Sequence, residues 1–144
     1  MPLRISLRPG ERFVVNGAIV KNGVRGTDLL LCNRVSVLIE KDIMQPEEAQ
    51  TPARRIYFPI MLMYLDEGRR EDAHVELVAR LAEFMGAIHN PAMLAECVSI
   101  SNEVSAGEYY RALVRCRKLI SYEAELLGAG SGAHVRPTPV ARAR

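Results

Sequence analysis

Residues 51–65, TPARRIYFPIMLMYL, constrain this fold more than any other stretch of the chain. Thr51 is a good N-cap, and Pro52 takes the first helical position, where its missing N–H has no partner to lose. From Ile56 to Leu65 no side of the helix is polar, and a helix apolar all round has to be enclosed by protein. The run is too short, and too closely flanked by Arg54, Arg55, Asp66 and Glu67, to span a bilayer, which takes about 20 apolar residues. The sequence therefore predicts a hub helix over 52–66 with the rest of the fold packed around it. Pro59 removes one helical hydrogen bond and crowds the preceding turn at a cost of about 3 kcal/mol, so a kink or a split into two short helices is expected there. Arg54 and Arg55 open the helix against its dipole, which calls for a carboxylate partner, with Glu47 and Glu48 nearest in sequence.

Upstream of the hub the pattern changes to strands. Leu3, Ile5 and Leu7 alternate with Arg4, Ser6 and Arg8, the period of a half-buried strand, and Pro9-Gly10 then turns the chain. Phe13–Val15 and Ala18–Lys21 read as strands joined by an Asn16-Gly17 hairpin turn, and Asn22-Gly23 as a second such turn, because Asn-Gly supplies the positive φ angles these hairpins need. Asp28–Cys32 and Val35–Glu40 complete a module of about five short antiparallel strands over residues 1–45. A module this small buries little by itself, so it must close on the helices, on a second copy of itself, or on both.

Downstream, Leu77, Leu81, Phe84 and Ile88 recur at helical spacing, with Glu71 and Asp72 in the first turn where the dipole favours them. Asn90-Pro91 starts a further helix whose inner side is Met93, Cys97, Ile100 and Val104, ended by Ala106-Gly107. A last helix runs from about Glu108 to Leu127 with Tyr109, Leu113, Cys116 and Ile120 inward, stopping at Gly128. The expected class is thus α+β: the strand module, then a bundle of about four helices over 46–127. Residues 128–144, GAGSGAHVRPTPVARAR, lack large apolar groups and read as a flexible basic tail.

The three cysteines, Cys32, Cys97 and Cys116, are odd in number and widely spaced, and the N-terminus has no apolar signal core; both point to a reducing cytosol. His74, His89 and His134 are far apart and no Cys-x-x-Cys pair occurs, so no metal site is expected. Gly23-Val24-Arg25-Gly26 is turn chemistry rather than a phosphate loop, and Ser99, Ser101 and Ser105 have no paired base. No catalytic constellation emerges, and the chain reads as neither an enzyme nor a cofactor carrier.

The net charge of +2 hides an asymmetry: residues 1–45 carry seven Lys/Arg against four Asp/Glu, 46–127 nine against thirteen, and 128–144 three against none. Within this pattern Arg111, Arg115 and Lys118 share one helix face, and Tyr122 continues it one turn on. Cations on a common face beside an aromatic can hold a phosphate backbone and stack a base. The plainer reading is a solvated face, or ion pairs to the acidic helix before it. Arg4 and Arg8 on the first strand, with Arg34 and Lys41, form a second basic set.

The opening PLRISLRPGERFVVNGAIVKNG, the junction EKDIMQPEEAQTPARRIYF and the late GEYYRALVRCRKLI together resemble the FlbT family of flagellar regulators over nearly all of residues 1–127. That resemblance implies a cytosolic post-transcriptional regulator of alphaproteobacteria, acting on flagellin mRNA near its 5′ leader and working with the flagellar protein FlaF. The first strand with Pro9-Gly10-Glu11, closed by Val37–Ile43, is also similar to CsrA, a small all-β RNA-binding dimer. This similarity implies an RNA surface on the first strand, at Arg4 and Arg8, and a homodimer through the β module. At the other end of that surface Ile39, not an arginine, precedes Glu40-Lys41-Asp42, leaving Lys41 or Arg34 to substitute.

Two functions stay open at this point. One is an RNA-binding translational repressor using Arg4, Arg8, Arg34, Lys41, Arg111, Arg115, Lys118 and Tyr122. The other is a protein-interaction regulator that binds a FlaF-like protein or a flagellin through Tyr57, Phe58, Met61 and Tyr64 of the hub, with no membrane involved.

Overall fold

The computed structural model describes residues 3–131, in which five antiparallel strands precede four α-helices: the α+β class predicted from the sequence. The described residues form two compact units that part between Met44 and Gln45.

In the first unit β1 (Leu3–Leu7) pairs with β4 (Thr27–Leu31), while β2 (Arg12–Val15) lies between β3 (Ala18–Lys21) and β5 (Val37–Ile39). The β2–β3 hairpin turns at Asn16-Gly17 as expected, both residues having positive φ, 48° and 83°. Asn16 does more than turn the chain. Its N–H donates to the Ser36 carbonyl and its Oδ1 accepts from the Ser36 N–H, which fixes where β5 joins β2.

Asn22-Gly23 departs from expectation, for neither residue has positive φ and β3 does not fold back on β4. The Asn22 amide instead donates to the Arg8 and Arg25 carbonyls, and Gly10 N–H donates to the Gly23 carbonyl. These bonds tie the β1–β2 turn to the segment after β3 and leave β4 free to pair with β1. The last predicted strand is also shorter: it ends at Ile39, and Glu40–Asp42 form a 3-10 turn whose Glu40 carboxylate accepts from Arg12 N–H. Ile5, Leu7, Phe13, Val37, Leu38 and Ile39 are buried, whereas β3 is exposed throughout.

In the second unit α1 (Pro52–Leu65) packs against α2 (Arg70–Ala87) and α4 (Tyr109–Ser131), and α3 (Pro91–Ser105) packs on α4. The Thr51 hydroxyl accepts from Arg54 N–H, confirming the cap. Pro59 does not split the hub: α1 is a single helix, with Ile56, Pro59, Ile60 and Met63 all buried. Packing on two sides outweighs the lost hydrogen bond, since most helical stability in proteins comes from burial of the apolar faces.

The expected partner for the start of α1 arrives from elsewhere in the chain. Glu123 of α4 accepts from Ala53 N–H at 3.0 Å, placing a carboxylate on the positive end of the helix dipole, while Glu48 is spent on Gln45 N–H. Arg70 donates to the Met63 carbonyl and lies 4.7 Å above the Tyr109 ring, so one guanidinium joins α1, α2 and α4. Gly107, at φ 78°, ends α3 in a Schellman turn: Glu108 N–H bonds back to the Glu103 carbonyl and Gly107 N–H to that of Val104. The last helix continues through Gly128 to Ser131, four residues into the expected tail, and the rest of that tail lies outside the described residues.

Candidate functional site

The basic face forms on α4, where Arg111, Arg115 and Lys118 line one open groove of about 470 Å³ together with Glu103, Tyr110 and Val114. Helical spacing of four and three residues aligns the cations. The inward residues Leu113, Cys116 and Ile120 are buried, and this turns the basic stripe toward solvent. Tyr122, half-buried, follows one turn beyond Lys118.

The three cations are not equivalent. Arg115 spans two carboxylates of α3: its Nε and Nη2 donate to Glu103 at 2.8 and 2.9 Å, and its Nη1 donates to Glu96 at 2.8 Å. This fork-to-fork geometry is the strongest form of the pair, and it holds the guanidinium well above its ordinary pKa. Lys118 Nζ lies 3.2 Å from the other Glu96 oxygen but stays exposed. Burial alone would raise the Glu96 carboxyl; hydrogen bonds from Arg115 and Lys118 outweigh it and hold the group below the usual carboxylate range. Arg111 is exposed and has no carboxylate partner among the described residues. The face thus combines one cation locked into the α3–α4 contact, one shared, and one open to a ligand.

The second predicted basic set lies in the first unit. Arg4 and Ser6 are exposed on β1, and Arg8, also exposed, follows directly after the strand ends at Leu7. Arg4 donates to Asp28 of β4 at 2.7 Å, and Asp28, which also accepts from the Ser6 hydroxyl, is held below its ordinary pKa by these bonds. Arg8 and Arg34 are exposed without an ion-pair partner among the described residues, and Lys41 is exposed in the 3-10 turn. Of the hub residues, Tyr57 is 3% and Met61 4% exposed, inside the core; Phe58 and Tyr64 are half-buried, Tyr64 with its ring 5.6 Å from that of Tyr110.

The ion pairs to the preceding acidic helix that the sequence allowed do form: Glu96 and Glu103, seven apart on one face of α3, take Arg115 and Lys118. Two residues that sequence alone did not single out, Tyr110 and Val114, line the groove between the inward and basic positions of α4. Among the described residues no cluster of His, Cys, Asp and Glu large enough to hold a metal forms, and no helix is long and apolar enough to cross a membrane.

Comparison with known proteins gives the family. Residues 3–127 match the family model described as flagellar protein FlbT. The chain is 58% identical over 128 residues to the probable flagellum biosynthesis repressor protein FlbT of Caulobacter sp. (strain K31), covering 89% of this chain and 98% of that one. It is equally similar to the flagellum biosynthesis repressor protein FlbT of Caulobacter vibrioides, covering 89% and 91%. The probable repressor of Rhodopseudomonas palustris is 35% identical over 129 residues, covering 88% and 98%. No solved structure matches. With the match running from β1 to the last turns of α4, across both units, the chain belongs to the FlbT family of flagellar proteins.

Proposed function

We propose that this protein represses flagellum biosynthesis after transcription, by binding the 5′ leader of flagellin mRNA and holding down flagellin synthesis. The names of its relatives support the repressor role. The observation that carries the RNA reading is the pair of exposed cations, Arg111 and Lys118, on a groove that also holds the Tyr110 ring. An exposed guanidinium and ammonium about two helical turns apart can contact phosphates of one strand, and an aromatic lining the same groove offers a stacking surface for an unpaired base. Arg115 positions this face through Glu96 and Glu103 rather than meeting RNA. Arg8 and Arg34 are further phosphate contacts in the first unit.

The test is a titration of labelled flagellin leader RNA with the protein alone, at several salt concentrations, beside an Arg111→Ala/Lys118→Ala variant. Loss of two phosphate contacts should weaken binding and make the log–log salt slope shallower by about 1.4, at about 0.7 per contact on single-stranded RNA. No shift of the RNA by the wild type at low salt would overturn direct binding.

A second reading, an adaptor acting through a FlaF-like protein or a flagellin, draws on the mixed lining of the same groove. Carboxylates of Glu103 and Glu96 sit beside the cations, and Val114 is exposed among them. Such a surface suits a protein segment with its own charge pattern. An RNA shift that appears only when the FlaF-like partner is added supports the adaptor.

A further inference from the structure

Four cations gather at one end of the β module. Arg12 of β2 and Lys21 of β3 are cross-strand partners in the hairpin register, so both project from the sheet face opposite the buried Phe13. Like charges set directly opposite destabilise a sheet, yet this register, pinned by the Asn16-Gly17 turn, holds them together. Just beyond them the Asn22 side-chain nitrogen donates to the Arg8 and Arg25 carbonyls, both at 2.8 Å, and Asn22 N–H donates to the Glu11 carbonyl. The main chains of Arg8 and Arg25 are thereby held side by side next to the Arg12–Lys21 pair. All four side chains are exposed, and none has an ion-pair partner among the described residues. Two carboxylates at this end, of Glu11 and Glu40, accept from the main-chain N–H groups of Arg8 and Arg12. A lysine on an edge strand commonly guards against stray sheet pairing, which explains Lys21 alone. It explains neither the arginine opposite nor the two arginine-bearing loops pinned beside it.

We infer that Arg8, Arg12, Lys21 and Arg25 form a second phosphate site, which grips the RNA backbone without reading its bases; this rests on the RNA reading above. A phosphate between Arg12 and Lys21 turns their repulsion into two attractions, and binding releases the counterions that the free cluster and the RNA hold. Three of the four groups are guanidinium forks, the side chain best shaped for bidentate contact with phosphate oxygens. Cations spread over two strands and two loops suit a ligand with several phosphates in a row better than a single anion. Phe13 is the only aromatic residue in 1–45, and it is buried, so this end of the module offers no ring on which a base could stack. Phosphate contacts fix register and orientation but carry no sequence information. The site therefore differs in kind from the α4 groove, where the Tyr110 ring accompanies the cations.

The test titrates labelled flagellin leader RNA, and a scrambled RNA of the same length, with the full chain at several salt concentrations, beside an Arg12→Ala/Lys21→Ala/Arg25→Ala variant. The variant's log–log salt slope should be shallower by about 2.1, at about 0.7 per contact on single-stranded RNA, and its affinity for the two RNAs should fall by the same factor. It should melt no lower than the wild type, because a like-charge pair has been removed. Arg12→Lys/Lys21→Arg/Arg25→Lys, which keeps every charge, should keep the slope. No binding of either RNA by the wild type at low salt would overturn the RNA reading and this site with it. Wild-type binding with an unchanged slope in the alanine variant would overturn this site alone. A loss confined to the leader RNA, or an equal loss in the charge-keeping variant, would likewise overturn a grip made through backbone charge.

Discussion

Arg115→Ala separates the structural cation of the α4 face from its two exposed ones. Arg115 makes three charge-assisted hydrogen bonds at 2.8 to 2.9 Å to side chains only 14% and 16% exposed, and is itself 29% exposed. Lys118 continues to compensate Glu96 after the change, but Glu103 keeps a half-desolvated carboxylate with no partner. The loss should therefore exceed the ~0–1 kcal/mol of a surface pair and fall short of the ~3–5 kcal/mol of a fully buried one, so about 2–3 kcal/mol. Urea melts should show a lower midpoint at unchanged slope. Glu103→Gln in the Arg115→Ala background should recover about 1 kcal/mol, because an unpaired amide is cheaper to bury than an unpaired carboxylate. Arg111→Ala should stay within ~0.5 kcal/mol of the wild type, as exposed substitutions do. A loss below ~0.5 kcal/mol for Arg115→Ala, or no recovery from Glu103→Gln, would refute this division of roles.

The same contact sets a pH dependence. Glu96 has a folded pKa below its ordinary 4.5, so its contribution is fully present above that value and is lost as pH falls through the lower folded one. The stability advantage of the wild type over Glu96→Gln should be constant at neutral pH and shrink under acid, read from urea midpoints along a pH series. An advantage that grows toward low pH would reverse the sign. Within the hub, Ile60→Ala should cost ~2–5 kcal/mol, as three buried carbons are removed from a fully enclosed site. Pro59→Ala should by contrast be nearly neutral, because the ~3 kcal/mol helical penalty it relieves is offset by ~1.6 kcal/mol of lost methylene burial and by the added freedom of the unfolded chain. Thermal melts compare the two; a loss at Pro59 as large as at Ile60 would mean the ring is required by packing. A thiol reagent should modify Cys32 alone in the native protein and all three cysteines in denaturant. Cys97 and Cys116 are buried, and desolvation pushes the Cys97 thiol up to about 11 and Cys116 higher still.

What the sequence determined by itself is the local chemistry. Thr51-Pro52 starts α1, Asn16-Gly17 turns the first hairpin, Asn90-Pro91 and Gly107 bound α3, and the three-four spacing of Leu77, Leu81 and Phe84 sets the inner face of α2. Each is decided within one or two turns of chain, where capping, φ and periodicity act. The shared face of Arg111, Arg115 and Lys118 was legible for the same reason.

The tertiary structure decided which of those groups are available. Glu96 and Glu103 lie on α3 and Arg115 on α4, and only the packing of α3 on α4 commits the arginine to them. Asp28 meets Arg4 because β4 pairs with β1, a choice made when the Asn22 amide bridges two loops instead of turning a hairpin. Glu123 answers the dipole of α1 from some 70 residues away, and Pro59 survives in one helix because neighbours cover both its sides. Long-range pairing depends on which surfaces meet, and no local preference encodes that; the sequence named the cations, and the fold left Arg111 and Lys118 exposed among them.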